Sequence, residues 1–170
     1  MADRDDSGGP RDRGAGANWP PELPTIRERN AAQQEMSRVL DQLAPERAAH
    51  RMGVPVGEVE RYRTPRGCIL QGPDAAVSVS WFPDVSQGAA IGELQVVAWS
   101  GVVSRPGSST RTEGAQVVEE MVLTPFESVP SAWTWRAEDG TTYDTEALVT
   151  HCLALLAHPR DSAGRGEGEQ

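Results

Sequence analysis

The sequence predicts an α+β fold. An antiparallel meander sheet of five to six strands is flanked on one face by an N-terminal helix, a short second helix and a C-terminal helix. Three observations predict it. Apolar residues recur at helical spacing near both ends of the chain's central part. Between them the period falls to two, as on a half-buried sheet. Short turn signals separate the successive runs, and sequential strands with short connections pair antiparallel.

Thr25 begins the first helix: its hydroxyl can cap the helix while Glu28, three residues on, returns to the Thr25 amide. Ala32, Met36, Val39, Leu40 and Leu43 then make the apolar stripe. Pro45 ends that helix and opens a second one over residues 46–52, which Gly53 closes. A weak strand follows over residues 56–63, then a tight Thr64-Pro65-Arg66-Gly67 turn and a return strand over 68–71. Residues 75–82 alternate cleanly, with Val77, Val79 and Trp81 on one side and Ser78 and Ser80 on the other. A long strand over 93–104, bent at Gly101, pairs with 115–124 across a Gly/Ser/Thr-rich loop. After a proline-containing turn, residues 132–137 form the last strand, with Trp133 and Trp135 on one face. Asp144 caps the final helix, whose face is Leu148, Val149, Cys152, Leu155 and Leu156, and Pro159 stops it.

This places one domain over residues 25–158. Residues 1–24 and 159–170 are rich in Gly, Pro, Asp and Arg and poor in aliphatic side chains. They are expected to be disordered tails, because ordering a backbone costs roughly 1–2 kcal/mol per residue and they have little apolar surface to offset it. Two cysteines, Cys68 and Cys152, make no disulfide framework. With no apolar leader and no membrane-length apolar run, a cytoplasmic protein is expected. All 16 basic residues are Arg, and the net charge is −9. That charge argues against nucleic acid, whose binding depends on phosphate neutralisation. Residues 113–146 hold eight acids against Arg136 alone, which favours a partner with a basic surface.

Catalytic signatures are sparse. The histidines and cysteines lack metal-ligand spacing, so no metal and no cofactor are expected. No Gly-x-Ser-x-Gly elbow occurs. Arg105 and Arg111 surround three hydroxyls in the Gly/Ser/Thr-rich loop and are a candidate anion-binding pair, set against the simpler reading of a solvated hairpin tip. Glu119 shares strand parity with Val117, Met121 and Leu123. It is thereby an inward carboxylate, a weak candidate for acid–base chemistry or for protecting a sheet edge. Trp99 shares parity with Gln95 and Val97, opposite to Leu94, Val96 and Ala98, so it points away from the core as a candidate anchor.

Two functional readings follow. The leading one is a small acidic non-enzymatic protein-interaction or binding module, centred on Trp99. The alternative is a small-molecule or enzymatic cup lined by Trp133, Trp135 and Glu119.

Overall fold

The computed structural model describes residues 24–83, 91–103 and 115–158. The expected tails, apart from Pro24, and the Arg105 and Arg111 loop lie outside them. Helix α1 (Ile26–Gln42) starts with the expected reciprocal cap: Glu28 N donates to Thr25 Oγ1 at 3.2 Å, and Thr25 N donates to Glu28 Oε2 at 2.6 Å. Its buried residues are Ala32, Glu35, Met36 and Val39. Helix α2 (Pro45–Met52) has Pro45 in its first turn and ends on Gly53, whose φ of 69° is the left-handed conformation glycine adopts at least cost. Helix α3 (Thr145–Ala157) begins where the Asp144 carboxylate accepts from Ala147 N at 2.7 Å.

Seven strands form one sheet in chain order, every neighbouring pair antiparallel: β1 (Glu60–Thr64), β2 (Gly67–Gln71), β3 (Ala75–Phe82), β4 (Glu93–Ser100), β5 (Gln116–Val129), β6 (Ala132–Ala137) and β7 (Thr142–Tyr143). The α+β meander is therefore the observed architecture, with a short seventh strand beyond the expected sheet. Three boundaries differ from expectation. Residues Val56–Glu58 form a 3-10 turn, so the first strand starts later. Strand β4 stops at Ser100, because Gly101 turns the chain with a φ of 91°. Strand β5 continues through Pro125 instead of turning there. A proline in a strand needs a position where its missing N–H is not required. Pro125 has such a position: the β4 ladder ends at Leu94 opposite Leu123, so the later part of β5 pairs with β6 alone.

All three helices share one sheet face. The buried cluster joins Val39 and Leu43 of α1 and Leu148 and Leu156 of α3 to Leu70, Val79, Leu94 and Leu123 of the sheet. Helix α3 lies against β3 and β4 and touches both other helices. Trp81 and Trp135 meet edge-to-face in this core, centroids 6.0 Å apart, an arrangement that adds about 0.5–1.5 kcal/mol to their burial. Among the described residues no helix is long and apolar enough to cross a membrane.

Candidate functional site

Among the described residues the sheet's second face carries no helix. Cross-strand register places Ile69, Ser78, Val97 and Glu120 in one row, and Ala76, Trp99 and Val117 in the next. Ala76 and Val97 are buried, yet they stand outside the cluster that the sheet shares with the helices. Trp99 is half-buried on this face, its Nε1 donating to Ser78 Oγ at 3.4 Å. Val117 beside it is 51% exposed. The register shift between Ala98 and Trp99 explains why Val117 is here. Glu119 pairs with Ala98 but Val117 pairs with Trp99, so Val118 is the extra residue of a bulge. Val118 packs on the core and Val117 turns outward, against its expected grouping with Glu119. Trp99 keeps the orientation its own strand's parity implies.

Glu119 lies on the helix side, in register with Ala98 and Leu70 through the intervening strands. There it meets α3: His151 Nε2 is 3.3 Å from Glu119 Oε1, with side-chain exposures of 32% and 24%. The Tyr143 ring lies 5.4 Å from the imidazole. Burial, then the negative charges of Asp139 and Glu119, raises the Tyr143 hydroxyl above its ordinary pKa. A shallow depression of about 570 Å³ opens beside this cluster, lined by Tyr143, Thr150 and His151 among others. The neighbouring thiol faces away from it. Cys152 is wholly buried, and burial pushes its pKa up to about 12, so it is a packed apolar group without thiolate character. Carboxylate, imidazole and phenol thus form a strap between β5, α3 and β7.

Comparison with family models, with curated proteins and with solved structures returns no match for this chain. Its function has to be read from its own surfaces.

The three residues of the expected cup are not brought together. Trp135 is fully buried against Trp81. Trp133 lines a cleft of about 880 Å³ between α1 and the β5–β6 hairpin, and neither Trp135 nor Glu119 lines it. Arg105 and Arg111 lie outside the described residues. Among the described residues no three His, Cys, Asp or Glu side chains are grouped to hold a metal ion.

Two features escaped sequence reasoning. Gln71 is buried at the end of β2 and ties three segments together: its Nε2 donates to Gly72 O at 2.6 Å and Ala75 O at 2.9 Å, and its Oε1 accepts from Val103 N at 2.9 Å. The second is a group of three arginines at the β1–β2 hairpin. Arg63 pairs with Cys68 and Arg61 with Leu70, so both arginines project toward the helix layer. The two-residue turn alone fixes that register, and strand alternation does the rest.

Proposed function

We propose that the protein is a non-enzymatic interaction module that binds a partner protein of basic surface through the helix-free face of its sheet. One observation carries this reading: Trp99 and Val117 stand side by side, partly exposed, on a face that no helix among the described residues covers. Tryptophan is among the residues most enriched at interface hot spots, where neighbouring contacts serve to exclude water. The rim supports the sign of the partner. By register Glu60, Glu93 and Glu120 share this face, while Arg136 leans over the Phe126 ring at 4.0 Å. The net charge of −9 adds a long-range attraction for cations. A cytoplasmic location belongs to the same reading, and two free buried cysteines fit a reducing compartment.

The test is capture from native extract by the wild-type chain, by Trp99→Arg and by Val117→Arg, each at low and high salt. A basic protein retained by the wild type, weakened by salt and lost with either variant is the expected result. Equal retention by all three chains contradicts it, and so does retention of only a second copy of this chain.

A further inference from the structure

We infer that the cleft between α1 and the β1–β2 hairpin, on the opposite side of the sheet, binds a small organic anion: an apolar body carrying a carboxylate or phosphate. The cleft has a volume of about 640 Å³. Among the described residues three guanidiniums line it, those of Arg61, Arg63 and Arg66, against a single carboxylate, Asp41. This concentration of positive charge occurs in a chain whose net charge is −9. Among the described residues none of the three arginines forms an ion pair, and Arg61 lies against the Cys68 thiol as a hydrogen-bond partner. Arg66 instead stacks over the Phe82 ring at 4.4 Å.

An independent observation points to a ligand. Four buried side-chain polar atoms among the described residues have no hydrogen-bond partner: Arg61 Nε, Thr64 Oγ1, Trp81 Nε1 and Trp135 Nε1. Two of them, Arg61 Nε and Trp81 Nε1, belong to residues that line this one cleft from the helix side. Thr64 alternates with Arg63 and so projects to the other face. A buried polar group without a partner costs about 1–3 kcal/mol, so two of them beside one cleft form an arrangement that folding alone does not favour. Nε–H and indole N–H are donors only. A partner that reached them would be an acceptor, and the surrounding guanidiniums make an anionic acceptor the best fit. Met36, Leu40 and Trp81 give the same cleft an apolar wall, which suits the body of an organic acid better than a bare inorganic ion. Trp81 is only 5% exposed, so its indole N–H is held in place by the core.

The experiment follows the Trp81 indole N–H resonance by NMR in the full chain, assigned with Trp81→Phe. Phenyl phosphate, benzoate and inorganic phosphate are titrated separately to millimolar concentration, with sodium chloride at matched ionic strength as reference. The expected result is a saturable shift with phenyl phosphate, benzoate or both, beyond that of inorganic phosphate. Arg63→Gln and Arg66→Gln, on exposed side chains, should each raise the dissociation constant about tenfold, while Arg51→Gln on α2 leaves it unchanged. Response to only one organic probe identifies the head group. No saturable shift with either organic probe, or binding undiminished in both hairpin variants, would overturn the assignment. The outcome is independent of whether the opposite sheet face binds a protein.

Discussion

At the scale of single residues, burial decides chemistry. Cys152 lies at the centre of the core and its thiol is held up at about 12, first by burial and then by neighbouring Cys68. The folded state therefore keeps a proton that the unfolded chain releases near pH 9. Stability from this source is complete below about pH 9 and falls as pH rises toward 12, by at most roughly 4 kcal/mol. Urea unfolding at about pH 8 and pH 10.5 should show a marked loss for the wild type and a smaller one for Cys152→Ala. A similar decline in both proteins would assign the effect elsewhere, for example to Cys68 or Tyr143, whose pKa values are also raised by burial. Trp135 offers a second contrast. Its Nε1 makes no hydrogen bond, so Trp135→Phe loses volume alone, whereas Trp135→Ala empties the site and should cost about 3–5 kcal/mol. Thermal unfolding distinguishes the two, and equal effects would mean that the indole has a partner. Strand parity made the orientations of Trp99 and Glu119 legible in the sequence. It failed at Val117, because a bulge at Val118 leaves no mark in residue type. The same parity puts Arg61 and Arg63 on the helix side, because the Pro65-Arg66 turn fixes their register.

At the scale of elements, the helices were legible because caps and stripes are local. The reciprocal Thr25–Glu28 bonds should make Thr25→Ala cost about 1 kcal/mol, read as a shift in the urea midpoint with an unchanged slope. An unchanged midpoint would show that the cap contributes nothing to the folded state. Strand ends were less legible, since they depend on what lies alongside. Pro125 looks like a turn until the β4 ladder is known to stop before it, and Thr142–Tyr143 becomes a strand only by lying beside β6. Glycines divide on the same basis. A methyl group at Gly67 would lie 1.9 Å from the Val79 carbonyl oxygen, so Gly67→Ala must separate β2 from β3. Gly57 meets nothing within 4 Å and has no positive φ, so Gly57→Ala should be neutral or stabilise by up to about 1 kcal/mol. Amide exchange should rise along β2 and β3 in the first variant and stay unchanged in the second. Full protection in Gly67→Ala would contradict the close strand approach.

At the scale of the whole molecule, the meander has all three described helices on one side and separates two kinds of surface. The helix side holds the Glu119–His151 strap and the arginine cleft. The other holds Trp99 and Val117 under an acidic rim. The alternation of β3 and β4 implied this one-sidedness from sequence, whereas the cleft needed α1 to be placed over the β1–β2 hairpin. One measurement tests the functional claim most directly. A photo-reactive side chain is introduced at Val117 or, as a reference, at exposed Arg29 on α1, and each chain is irradiated in native extract. The expected result is a discrete crosslink to a basic protein from position 117, absent from position 29 and lost when Trp99→Arg is added. Labelling from both positions alike, or from neither, would contradict a binding surface on the open face of the sheet.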